Sequence, residues 1–512
     1  MRSGRPTRVL LVLSVSGLLL GAAGCTSSEP EPTVARLAKA AAGSVAVAAQ
    51  DDASARSVAT SRALFASAPG AVVAPASDAA AVEQAASAAR SAHVPVLLTD
   101  DDGDAGDGGA GDGTSASASA TSRGGGEVGE ELRRLGADWY QAEGDVSVDT
   151  DVAEQDAPDR GDAPGSSSAS RPATVVVADR DADAASVATA EAAGARVVVM
   201  PDGVTDPAAA PDVVTALHER AEHPTVLVGT AFGDLPDPEW TVRAAESGWQ
   251  LPHGGQRPFD GHRYVALYGA PGAPVLGVLG EQDPSATVRR AESTTKEYDG
   301  LGDEPVTPAM EVIATVAAGD AGADGDYSTE LPASSLEPYV DAASDAGMPV
   351  ILDLQPGRSD FLSQAKRYES LLAKPNVWLA LDPEWRLTAD QVPLQQIGSV
   401  SASEVNEVSS WLADLVRSKG LPPKAFVLHQ FRLSMIQDRS SLASHPELDV
   451  LIHVDGQGSQ PDKQATWKAL HQDAPEGVHW GWKNFYDEDT PMLTPEQTMA
   501  DVQPTPSLIT YQ

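Results

Sequence analysis

Short unbroken apolar runs alternate along this chain with longer segments whose apolar residues recur at helical spacing. A strand that is apolar on both faces belongs to a parallel sheet covered by helices on either side. In the first half, residues 71–75, 94–98 and a short stretch around Trp139 read as strands, with helices over 78–92 and 127–135 between them. The pattern recurs with strands at 174–178, 195–200 and 225–229 and helices at 183–193 and 212–221. The expected fold class is therefore α/β. Residues 34–253 form an N-terminal doubly wound parallel α/β domain built from two repeats.

After a glycine-containing linker at 254–261 the runs lengthen. Candidate strands lie at 263–268, 275–279, 310–316, 349–354, 377–381, 425–431, 449–454, 478–482 and 507–511. Helical patterns fill most gaps, at 284–298, 336–346, 359–372, 403–419 and 463–470. Nine candidates are one more than an eight-stranded barrel needs, so one pair is expected to share a strand or hairpin. This alternation over 262–512 fits a (β/α)8, TIM-like barrel, whose strands deliver their carboxyl-end residues to one shared mouth.

That rule picks out the candidate chemistry. The run W-L-A-L-D-P-E-W, from Trp378 to Trp385, ends in Asp382 and Glu384, two carboxylates one residue apart beside an aromatic ring. Asp353 and Asp455 close neighbouring strands, and Glu311 is an acid inside an apolar strand, where it must be paired, protonated or at the mouth. A hydrolytic pair needs one carboxyl that keeps its proton and one that does not. Asp382, Glu384, Asp353, Asp455 and Glu311 are the catalytic candidates. Asp382 has a structural alternative, capping the next turn.

Trp385 and Trp482 are expected at strand ends, where aromatic rings stack on sugars; packing against the barrel rim is the alternative for either one. Gln355, Arg358, His429, His453 and Lys483 complete the substrate-binding candidates. His429, His453, Asp455, Asp353 and Asp382 also suit a divalent metal, but no H-x-H or H-E-x-x-H spacing supports one. No cofactor is expected. Asp487, Glu488 and Asp489 read as a solvated turn.

The chain opens with Arg2, Arg5 and Arg8, then an apolar stretch at 9–20, then L-G-A-A-G-C ending at Cys25. The stretch is short for a spanning helix and reads as an export signal over 1–25. Small residues before a cysteine resemble a bacterial lipobox, which implies cleavage before Cys25 and lipid on its sulfur. Residues 26–33 form the tether. The expected location is the outer face of the cytoplasmic membrane, in the cell envelope. Cys25 is the only cysteine, so no internal disulfide exists.

Two acidic insertions, 100–126 and 145–171, interrupt the first domain and read as disordered loops rather than calcium repeats. With 74 acidic and 35 basic residues the formal charge is −39, and no basic cluster offers itself to nucleic acid.

The segments V-V-A-P at Val72, V-P-V-L-L-T at Val94 and E-L-R-R-L-G-A at Glu131 resemble the cell wall-binding repeat 2 family, which implies attachment to the envelope. A generic Rossmann-like domain without wall affinity is the alternative; no G-x-G-x-x-G follows these strands, so neither reading carries a dinucleotide site. The second half resembles a group of actinobacterial envelope lipoproteins of unassigned activity. It does so through L-D-L-Q-P-G-R at Leu352, L-A-L-D-P-E-W-R at Leu379, H-Q-F-R-L-S-M-I at His429, H-V-D-G-Q-G at His453 and G-W-K-N-F-Y-D-E-D-T-P-M at Gly481. The expected function is a lipid-anchored hydrolase, glycoside-hydrolase-like, acting on a cell-surface or wall glycan. The alternative is a non-catalytic saccharide-binding lipoprotein.

Overall fold

Eight of the apolar runs in the second half pair in parallel and close on themselves. They are β1 (Arg263–Gly269), β2 (Val306–Ala317), β3 (Val350–Leu354), β4 (Val377–Leu381), β5 (Lys424–His429), β6 (Leu448–Val454), β7 (His479–Asn484) and β8 (Leu508–Tyr511). β8 returns to β1, with Leu508 beside Tyr264, and the circle is a TIM-like barrel wrapped by helices. The computed structural model describes residues 34–100, 123–158 and 172–512. The expected signal with Cys25, the tether at 26–33 and much of both acidic insertions lie outside the described residues.

Alternation along the strands divides the barrel in two. Tyr264, Ile351, Trp378, Val427 and Leu451 point inward and pack as an apolar plug at its amino end. Tyr264 meets the Trp378 ring edge-on, with centroids 5.1 Å apart. The intervening residues face outward onto helices such as Pro284–Lys296 and Ala402–Lys419, where Val265, Leu352, Leu379 and Leu428 join a second core. The expected linker at 254–261 is not a free tether. Gln256 is buried, and its amide donates to the carbonyls of Ala244 and Trp249. Phe259 seats on Trp378 beneath the plug.

The surplus candidate strand at 275–279 is not a strand. Its residues form two 3-10 turns, Pro274–Leu276 and Val278–Glu281. Gly277 between them has φ +126°, and a Cβ there would lie 2.5 Å from the Tyr268 carbonyl oxygen. The turn thus lies flat against the end of β1, a placement only glycine permits. Gly277→Ala is expected to cost about 1–3 kcal/mol of folding stability, measured by urea denaturation.

In the first half the strands of the two repeats do not share one sheet. Gly70–Pro75, Val96–Thr99, Trp139–Ala142 and Ala153–Glu154 form one parallel four-stranded sheet. Thr174–Val177, Arg196–Val199 and Thr225–Val228 form another with Val45–Ala48, a strand too small-residued to stand out in the sequence. The helices Ala53–Leu64, Ala79–Ala92 and Ala184–Ala192 contribute to one core shared by the two sheets. Residues 145–158 were expected within an insertion, yet Val146, Val148 and Val152 pack against Tyr140 and its neighbours. Among the described residues no helix is long and apolar enough to cross a membrane.

Candidate functional site

The parity that builds the plug also fixes what lies above it. Two residues beyond Ala266, Ala309, Ile351, Val427 and Leu451 come Tyr268, Glu311, Asp353, His429 and His453, and all are essentially inaccessible. His429 stands at their centre. Its Nε2 lies 2.8 Å from Glu311 Oε1 and 3.8 Å from Asp353 Oδ1, and its Nδ1 lies 3.0 Å from Asp455 Oδ2. Burial opposes charge on the ring, but the negative charges of Glu311 and Asp353 and the bonds to Asp455 and Glu311 raise its pKa well above 6.5. His429 is an imidazolium donating from both nitrogens.

The consequences spread to its neighbours. Burial raises Asp455, but the hydrogen bond and charge of His429 outweigh it and hold this carboxyl below its usual value. His453 stacks on His429 with ring centroids 5.0 Å apart. Burial, then the adjacent positive ring, push His453 well below 6.5, so it stays neutral, and its Nε2 shares a hydrogen bond of 3.1 Å with Thr510 Oγ1. Tyr268 donates to Asp353 Oδ2 at 2.8 Å and receives the Gln355 amide at 3.2 Å. Burial raises Asp353 to about 6 against the pull of His429, with Glu311 adding to the rise.

Over this layer opens a cavity of about 720 Å³. Asp382, Glu384, Asp455 and Glu488 line it, with Lys483, Arg432, Gln355, Tyr268 and the rings of Trp385, Phe431 and Phe485. Asp382 lies just beyond β4 and caps the 3-10 turn Pro383–Trp385, its Oδ1 accepting from Glu384 N at 3.3 Å. The capping role and the place in the mouth belong to the same side chain. Burial, then Glu384 and Asp353, raise Asp382 well above the carboxylate range. Burial, then the charge of Asp455, raise Glu384 to about 7.

Of the expected site residues, Asp382, Glu384, Asp455, Trp385, Gln355 and Lys483 line the cavity; Glu311, Asp353, His429 and His453 form the layer below it. Two are elsewhere. Trp482 points outward, against Trp467 at 5.6 Å, and its indole N–H donates to Asn484. Arg358 donates to the Gln391 carbonyl and lies over the Tyr327 ring. Asp489 is not solvated: it is buried and pairs with Lys463 Nζ at 2.5 Å.

The donors considered for a metal are not assembled as a ligand set. Both His429 nitrogens are committed to carboxylates. Among the described residues, the group whose donor atoms all lie within 4.8 Å of one another is Asp324, Asp326 and Glu330, in the segment after β2.

Residues missed from sequence include Tyr268, whose hydroxyl sits in the buried layer, and Phe431, Arg432 and Phe485, which line the mouth. Tyr268 has the same parity as the plug residues of β1, a signal that was present in the sequence.

No protein-family model matches the chain, and no curated protein matches its sequence. Among solved structures, Cwp6 from Clostridium difficile aligns with 63% of this chain at 11% identity and a TM-score of 0.28. The alignment spans 65% of that protein's length.

Proposed function

We propose that this chain is a lipid-anchored envelope protein whose barrel hydrolyses a cell-surface or wall glycan, with Glu384 as general acid and Asp455 as the ionised partner. One observation carries the reading: two carboxyls lining a single cavity are driven in opposite directions, Glu384 up to about 7 and Asp455 below its usual value. Groups separated in this way divide the work of acid and base. Asp382 stands beside Glu384 as a second proton-holding acid, and Trp385 offers a ring to a sugar face. The envelope address rests on the lipobox-like sequence at Cys25, and wall attachment on the repeats of the first half.

The test uses the chain from residue 26, which retains the whole compact unit Val34–Gln512. Incubation with purified wall polysaccharide is expected to release reducing ends; retention without release would make the barrel a binding module instead. The pH profile supplies a second check. Activity should fall as pH rises through about 7, where Glu384 loses its proton. It should also fall on the acid side, below the ordinary carboxylate range, where Asp455 gains one.

A further inference from the structure

We propose that the barrel mouth is selective for a glycan bearing an anionic group, a carboxylate or a phosphate, which Lys483 binds. The inference rests on reading the mouth as a glycan site and adds the class of glycan. Lys483, next to last in β7, has 3% of its surface exposed and lines the cavity. Its Nζ lies 3.4 Å from the centre of the Tyr268 ring and 5.2 Å from that of Phe485. Among the described residues no carboxylate oxygen comes within 4.0 Å of it, and no group accepts a hydrogen bond from it.

The other deeply buried lysines behave differently. Lys463 Nζ donates to Asp489 at 2.5 Å and to the Lys483 carbonyl at 2.7 Å. Lys424 Nζ donates to the carbonyls of Lys374 and Val377, each at 2.7 Å. A buried ammonium without acceptors is costly, and aromatic faces stabilise its charge without taking its protons. Asp353, Glu384 and Asp455 feel its charge from further off, but in a chain with 74 acids to 35 bases a buried cation with no acid in contact is a position kept for an oxygen of the ligand. Arg432, exposed at the rim over Phe431, is the second base lining the cavity and likewise has no acid within 4.0 Å among the described residues.

The nearby acids do not cancel this. Asp455 is hydrogen-bonded to His429, burial drives the pKa of Asp382 and Glu384 upward, Glu488 is exposed to solvent, and none of the four comes within 4.0 Å of the ammonium.

The experiment is calorimetric titration of the whole chain at fixed ionic strength with tetragalacturonate, its neutral methyl ester, and a glycerol phosphate oligomer. An anionic ligand is expected to bind at least about tenfold more tightly than the ester, as a charge-assisted hydrogen bond allows. Which anion prevails separates carboxylate from phosphate. Lys483→Met should erase the preference, Lys483→Arg should keep it, and Arg432→Gln should reduce it, each with an unchanged melting transition. Equal binding of acid and ester, a preference that survives Lys483→Met, or no binding of either anion overturns the proposal. Lys483-dependent anion binding without bond cleavage leaves it standing while removing the hydrolase reading.

Discussion

Replacing Glu384 with Gln is expected to lower glycan turnover by about 10²–10⁴-fold, the span that general acid catalysis covers, with the melting temperature held. The amide keeps the shape of the side chain but has no proton to give at neutral pH. The backbone N–H that Asp382 caps is untouched, so the turn Pro383–Trp385 remains. Glu384 is only partly buried, and none of its side-chain atoms is tied into an ion pair among the described residues. Rates and thermal unfolding measured on one preparation separate the two effects. A variant that unfolds while its residual activity per folded molecule is unchanged would make Glu384 a structural acid.

His429→Ala is expected to act mainly on stability, lowering it by about 3–5 kcal/mol at neutral pH, because removing one partner leaves buried charge uncompensated. Glu311 and Asp455 would lose the donors 2.8 and 3.0 Å away, and Asp353 its nearest cation. The folded-state pKa of His429 lies above its unfolded value of 6.5. Its contribution is therefore fully present below 6.5 and is lost as pH rises through the raised folded value. Urea midpoints of the native chain should decline on that alkaline side more than those of the variant. Asp455 would also drift upward without His429, so the acid limb of the activity profile should move to higher pH.

Much of the barrel was legible because its strands are covered on both faces and so read as apolar runs, unbroken in Val377–Leu381 and interrupted only by Asp353 in Val350–Leu354. The run at 275–279 had the same apolar content. Pro274 and Gly280 flank it and Gly277 breaks it, and the flat packing of Gly277 on β1 is a tertiary fact that no local pattern carries.

Orientation was legible only where parity was applied strand by strand. Lys483 and Trp482 are consecutive in β7, so both cannot enter the mouth; Lys483 does, and Trp482 faces the helix Gln460–Leu470. Asp382 and Glu384 do share the mouth, but through a capped turn rather than a strand continuing past Leu381. The central place of His429 was hidden for another reason. Glu311, Asp353 and Asp455 are far apart in sequence, and only closure of the barrel shows that all three surround one ring. In the first half Val45–Ala48, an edge strand beside Thr225–Val228, was not singled out, because its alternating valines and alanines carry little apolar signal.

The account turns on two carboxyl groups in one cavity holding their protons to different pH. Carbon-13 NMR titration of side-chain carboxyls, assigned with Glu384→Gln and Asp455→Asn, measures this directly. Glu384 should titrate at about 7 and Asp455 below the ordinary aspartate range. If both instead titrate together at ordinary carboxylate values, near 4, the mouth holds no acid and base, and the hydrolytic reading is contradicted.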